Sequence, residues 1–314
     1  RFRGGAFLMK SKKLKLQASS ISRVLKCPGS MTLEKRGTGV LTLNNRNDFT
    51  GRVSVAGGTL VMKYAPTATN VGGIGPATTD PSKWVVSDSA IVQVNTANEM
   101  TERAITFSGP KGGVMNVPLT LFWNGSMNGT KMTKTGAGIL NVGYNNTNLS
   151  ETVLRAGTFR LNAASAVPYG PGRKITIRGG TLETINSTGA YLRSDHQIDV
   201  PQQATATVIA GARCEYNGSL TGSGTLNWVT DFIRAYINGN WSQFGGRINI
   251  TRNTANSTYD DKFIVNTALG FPEATINLAS SGLIMCYKND TADNGTTTIK
   301  MGMLTGVAGT VVYN

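Results

Sequence analysis

A seven-residue phrase occurs twice in this 314-residue chain, far apart. Phe49-Thr50-Gly51-Arg52-Val53-Ser54-Val55 is matched by Phe244-Gly245-Gly246-Arg247-Ile248-Asn249-Ile250, so Phe-x-Gly-Arg twice leads into an alternating β-branched run. A Gly-Thr-Gly or Gly-Ser-Gly start of a strand-like run precedes each, at Gly37-Thr38-Gly39-Val40-Leu41 and Gly222-Ser223-Gly224-Thr225-Leu226. Such self-similarity is the mark of a repeat architecture, in which one small unit buries its apolar face only by stacking on copies of itself.

The clearest unit runs from Lys35 to Met62. It holds three short strand candidates, Val40-Leu41-Thr42-Leu43, Val53-Ser54-Val55 and Thr59-Leu60-Val61-Met62, each sending alternate side chains to one face. Leu41 to Met62 is 62 − 41 = 21 residues, the size of one rung of a β-helix. Asn44-Asn45-Arg46-Asn47 and Ala56-Gly57-Gly58 supply corners, because Asn and Gly tolerate positive φ. A second copy begins at Lys134-Thr135-Gly136-Ala137-Gly138-Ile139-Leu140-Asn141-Val142 and continues through Asn145-Asn146 to Ala156-Gly157-Thr158-Phe159. The spacing is constant, with 136 − 37 = 99 and 157 − 58 = 99. Residues 64–83 and 252–262, rich in Gly, Pro, Asn and Thr, read as loops projecting from the rungs. A β-sandwich or propeller fits less well, because Gly-Gly-Thr-Leu falls at rung ends rather than in two-residue hairpins. The expected fold is all-β, a right-handed parallel β-helix (solenoid) with inserted loops. Residues 1–34 are expected to form a basic N-terminal segment or cap, and 35–314 the β-helix. The chain opens on Arg1 and stops inside the strand-like Val311-Val312-Tyr313, so it is expected to belong to something longer.

The run Lys-Thr-Gly-Ala-Gly-Ile-Leu-Asn-Val, then Asn-Asn, then Ala-Gly-Thr-Phe, resembles the passenger-associated transport repeat of bacterial autotransporters. The 35–62 copy fits that pattern better than the 134–161 copy, which has Leu149-Ser150-Glu151 where an aromatic-Thr-Gly is expected. The stretch from Leu220 to Ile250 is similar to surface-exposed β-helix proteins of Bacteroidota, which often sit beside pectate-lyase-like domains. The resemblance implies a parallel β-helix outside the cytoplasm, secreted or on a bacterial cell surface.

The charge balance is basic, 31 Lys and Arg against 17 Asp and Glu, for a net +14. It is also uneven, since Arg1, Arg3, Lys10, Lys12, Lys13, Lys15, Arg23 and Lys26 stand in residues 1–33 without any acid. A field of this sign attracts acidic polysaccharide or lipopolysaccharide, and another cell-surface protein is a further expected partner; it equally suits a solvated edge where Lys discourages strand addition. Nucleic acid is disfavoured, because no dense basic stripe on a known module is visible. No stretch approaches the ~20 apolar residues of a membrane-spanning helix. Cys27, Cys214 and Cys286 form no zinc spacing and read as small buried hydrophobes.

Catalytic chemistry is sparse. A β-helix acting on acidic glycans needs cation-binding carboxylates or a carboxylate pair. The tightest acidic cluster is Asp260-Asp261, a weak metal candidate that reads more simply as a turn cap, and the sole histidine is His196. No cofactor and no catalytic residue are expected. For binding, Trp123, Trp228, Tyr236 and Trp241 lie near turns, and Arg52 and Arg247 punctuate strands. Aromatic faces with arginine hold sugars by stacking and charge. The competing assignment places the aromatics in the coil's core. The reading that follows is a structural or adhesive surface module without catalysis of its own. Its alternatives are an acidic-glycan lyase or binding module, and a component of a phage or appendage.

Overall fold

Alternation leaves most of the short strands with one apolar row, and their Gly and Asn corners do not fall at two-residue hairpin positions. The remaining way to bury that row is to wind the chain into a coil whose turns pair with the turns before and after. A computed structural model of the chain describes residues 13–16, 19–21, 30–48, 50–67, 69–143, 147–163, 173–186, 192–211, 213–231, 234–253, 262–287 and 299–313. It is a parallel β-solenoid, and every strand-to-strand pairing among the described residues is parallel. Helix among these residues is limited to one 3-10 turn, Pro81–Lys83, capped by Asp80, whose carboxylate accepts from Ser82 N at 2.9 Å. The chain divides into two units, Arg1–Gly157 and Thr158–Asn314.

The first unit contains β1 (Lys13–Leu16), β2 (Ser19–Ile21), β3 (Thr32–Lys35), β4 (Val40–Leu43), β5 (Val53–Val55), β6 (Thr59–Met62), β7 (Trp84–Ser87), β8 (Ile91–Val94), β9 (Glu99–Thr101), β10 (Ile105–Ser108), β11 (Gly113–Asn116), β12 (Leu121–Trp123), β13 (Met127–Thr135), β14 (Ile139–Gly143) and β15 (Thr147–Leu154). One face is ordered β1-β3-β5-β7-β10-β13 and a second β2-β4-β6-β8-β11-β13, the nine-residue β13 running through both. β9-β12-β14 form the third. The backbone of residues 13–16 and 19–21 therefore continues the coil, in register with Thr32–Lys35 and Leu41–Leu43.

The second unit contains β16 (Thr158–Ala163), β17 (Lys174–Ile177), β18 (Thr181–Asn186), β19 (Leu192–Ser194), β20 (Gln197–Val200), β21 (Thr205–Ala210), β22 (Cys214–Tyr216), β23 (Leu220–Gly222), β24 (Thr225–Thr230), β25 (Arg234–Ile237), β26 (Arg247–Arg252), β27 (Lys262–Val265), β28 (Phe271–Leu278), β29 (Ile284–Tyr287), β30 (Met301–Gly306) and β31 (Val311–Tyr313). Its faces are ordered β16-β18-β21-β24-β26-β28-β30, β17-β20-β23 and β19-β22-β25-β27-β29-β31.

Register fixes the core. Leu41 pairs with Leu60, Leu60 with Val92, Val92 with Met115, Met115 with Lys134 and Lys134 with Leu154, a column of inward side chains that are all buried. Lys35, Val55, Val86 and Phe107 make a second such column. Each fully buried Val, Leu or Phe contributes about 1.5–3 kcal/mol of transfer free energy, so a few adjacent turns are needed before burial offsets the ordering of the chain. In the second unit the core is aromatic. Trp228 lies 4.7 Å from Tyr216 and 5.5 Å from both Trp241 and Phe263, between ring centroids and mostly edge to face.

The segment 64–83 departs from the expected projecting loop. Ala65 and Ile74 are fully buried. Asn47 donates to the carbonyl of Gly73 at 2.5 Å, and its own N–H to Gly72 O at 2.9 Å. The Arg103 guanidinium, itself buried, donates to Ile74 O at 3.0 Å, Pro76 O at 2.6 Å and Lys83 O at 3.2 Å. A loop whose carbonyls are collected by one buried cation is pinned against the coil, not held away from it.

Candidate functional site

The two lysines that open the repeated segments stand at inward positions, where the register calls for an apolar residue. Lys35 directs Nζ to Arg36 O at 2.7 Å, Gly37 O at 2.9 Å and, in the next corner, Gly57 O at 3.0 Å. Lys134 directs Nζ to Gly136 O at 2.7 Å, Gly138 O at 2.6 Å and, in the next corner, Ala156 O at 2.9 Å. Each ammonium thus uses its three donors on three main-chain carbonyls, two in its own corner and one 22 residues on. Both lysines are fully buried. Burial pushes the Lys134 amine down to about 8 and Lys35 in the same direction. At pH 7 Lys134 therefore remains a cation.

The corner glycines complete this arrangement. Gly58 and Gly157 have φ of 62° and 66°, which L side chains rarely adopt. A methyl on Gly58 would stand 2.7 Å from Lys35 Nζ, and one on Gly157 would strike Lys134 Nζ and the carbonyl oxygens of Gly136 and Gly138. The ends Gly57-Gly58-Thr59-Leu60 and Ala156-Gly157-Thr158-Phe159 leave the space into which the preceding lysine reaches.

The residues singled out for glycan binding separate by burial. Trp123, Trp228 and Trp241 are at most 1% exposed and Tyr236 is 7% exposed. Trp123 packs 5.5 Å from Trp84, and Tyr236 packs with Ile264 and Cys286. The three tryptophans are packed inside the coil, whereas Tyr236 shares the outward parity of Glu215 and is covered on that side by Ile264 and Cys286. Arg52 and Arg247 are exposed. They stand in different units, and Arg247 Nε donates to Asn249 Oδ1 at 2.8 Å. In the Phe-x-Gly-Arg phrase, Val53, Val55, Phe244, Ile248 and Ile250 are all fully buried. Phe49 lies outside the described residues.

Asp260 and Asp261 also lie outside the described residues, and among the described residues no group of three or more His, Cys, Asp and Glu could hold a metal ion. Cys214 and Cys286 are buried free thiols, and Cys27 is outside the described residues. His196 is buried, with Nδ1 3.3 Å from Ser194 Oγ. Burial first, and the Arg173 charge second, push its imidazole down to about 3.

One surface was missed in the sequence reading. On the outward side of β16-β18-β21-β24-β26-β28-β30, register aligns Thr158, Thr181, Thr207, Asn227, Asn249, Asn277 and Thr305 in one column. Asn249 donates to Asn227 at 2.9 Å, Asn277 to Asn249 at 3.2 Å, and Thr305 to Asn277 at 3.1 Å. A second ladder runs Asn266 to Asn238 to Asn217 to Asp195 at 2.9–3.0 Å. The signal is a small polar residue recurring at the same parity of successive strands, legible only once the register is known.

A family model for the passenger-associated transport repeat matches the chain twice, at residues 33–62 and 132–161. Both matches place the buried lysine third in the segment and include the positive-φ corner glycine beside it, Gly58 or Gly157. No curated protein matches the chain, and no solved structure does.

Proposed function

We propose that this chain is a passenger-type module of an exported bacterial protein, secreted or displayed on the cell surface, whose role is structural and adhesive rather than catalytic. The observation that carries this reading is the pair of transport repeats within a parallel β-solenoid. A coil of self-pairing turns needs no helix core. No helix of the described residues is long and apolar enough to cross a membrane. As a module of a larger chain, it would present regular outward columns of Thr and Asn on a stiff support. The test is display. The chain is fused ahead of an outer-membrane translocator domain, and intact cells are probed with antibody and with external protease. Labelling of intact cells, with solenoid circular dichroism in the released fragment, is expected. A chain that stays inside the cell despite a working translocator would overturn the proposal.

A second reading, binding of acidic polysaccharide, draws on the net charge of +14 and the exposed Arg52 and Arg247. Retention on a polygalacturonate or heparin column should then fall steeply as salt rises through ~0.2 M. The double variant Arg52→Ala/Arg247→Ala should elute earlier. Unchanged elution would remove these two arginines from the reading. Acidic-glycan cleavage would need a carboxylate site such as Asp260 and Asp261, and an absorbance assay for unsaturated uronate decides that arm.

A further inference from the structure

The carbonyls around Lys35 and Lys134 are arranged as they would be around a free cation. Three main-chain oxygens from two successive turns converge on one point at 2.7–3.0 Å in the first repeat and 2.6–2.9 Å in the second. Backbone carbonyl rings of this kind replace the hydration shell of ammonium and potassium ions. Convergent carbonyl dipoles repel one another unless a positive charge stands between them, and a glycine at positive φ brings the third oxygen close.

We propose that each repeat corner is a monovalent-cation site built from backbone carbonyls, filled by the chain's own lysine ammonium, which locks two successive turns of the coil together. Two of the three contacts recur 99 residues apart at Lys35 and Lys134, to the carbonyls two and 22 residues ahead; the remaining one goes to Arg36 O in the first and Gly138 O in the second. Neighbouring inward positions in the same columns, Val55 and Leu154, are apolar. A buried lysine among such side chains is costly unless all its donors are met. The cation is therefore specific to the corner that opens a repeat. The site's natural ligand is covalently tethered, so it needs no ion from solution, and removing the tether leaves a cage for ammonium or a small primary alkylammonium.

The test is chemical rescue. Lys134→Ala and Lys35→Ala open the cage, and Lys134→Met fills the stem's volume while omitting the charge. Thermal unfolding is followed in 0–100 mM n-propylammonium chloride, with tetramethylammonium chloride and sodium chloride as controls. Each Ala variant is expected to unfold roughly 5–10 °C below the wild type. Propylammonium should restore a large part of that loss in the Ala variants, but not in Lys134→Met and not with tetramethylammonium, which cannot donate. Unchanged stability in the Ala variants, or restoration by none of the amines, overturns the proposal. If the Ala variants do not fold, the wild type decides. Lysine side-chain nitrogen NMR should show slowly exchanging ammonium signals that disappear singly in Lys35→Arg and Lys134→Arg. Lys35 and Lys134 should resist acetylation, while the surface lysine Lys63 reacts. Rapid exchange or ready acetylation of both lysines overturns the proposal as well.

Discussion

His196 is held neutral inside the second unit, and the imidazole takes up a proton there only near pH 3. In the unfolded chain the ordinary histidine value is about 6.5. Between these values the unfolded state binds the extra proton, so this residue's contribution to stability is full above about pH 6.5 and is lost as pH falls toward 3. The slope is about 1.4 kcal/mol per pH unit at most. Replacing the ring by a non-titrating amide, His196→Gln, should flatten the difference in denaturation midpoint between pH 6.5 and 4; an unchanged slope would show that the buried imidazole is not the sensor. The aromatic and arginine candidates separate equally sharply at this scale. Trp228→Ala empties a site packed by Tyr216, Trp241 and Phe263 and is expected to cost about 3–5 kcal/mol. Arg247→Ala on the exposed side should stay within about 0.5 kcal/mol, both read from urea unfolding. Part of this difference is legible beforehand, because Trp228 shares the parity of Leu226 in β24, and Leu226 must face inward.

At the level of elements, the segment 64–83 shows where sequence reading ends. Its Gly and Pro content identifies a connection without strand pairing, and that much holds. Its attachment depends on Arg103, which lies beyond the segment and reaches back to three of its carbonyls. Nothing in the spacing of Arg103 distinguishes it from Arg52 or Arg247 on the surface. The buried guanidinium, pushed down to about 10 by burial, still carries its charge at pH 7. Arg103→Met should leave these carbonyls without that donor and loosen the connection more than the coil. Trypsin should then cut after Lys63 or Lys83 at least several-fold faster, with little change in circular dichroism, on mass-spectrometric time courses. Equal cutting rates would mean that Asn47 and the buried Ile74 hold the segment without the arginine.

For the molecule as a whole, each turn of the coil is buried by the turns on either side of it, and a strand at the end of a sheet has one neighbour less. In the second unit β30 and β31 end their sheets. Leu304, which continues the inward column of Leu226, Ile248 and Ile276, is 41% exposed, while those three are fully buried. Met303 and Val312 are 60% and 51% exposed. Expressed as these 314 residues alone, the chain presents these apolar side chains at an unpaired sheet edge, which favours association between copies. In that 314-residue chain Val312→Lys is expected to lower concentration-dependent self-association in sedimentation velocity without lowering the unfolding temperature. Association unchanged by the substitution would place the contact elsewhere.

The sequence by itself determined the coil. Period-two apolar rows, corner glycines and repeats 99 residues apart require strands that are buried by stacking rather than by hairpins. The same periodicity makes Lys35 share parity with Leu33, and Lys134 with Met132. Only the tertiary structure decided that these two amines stay inside, that Arg103 does, and that Arg52 and Arg247 do not. A backbone carbonyl has no letter in the sequence. Its position relative to a side chain 22 residues away is set when one turn settles on the next, and that convergence determines which cations can be buried.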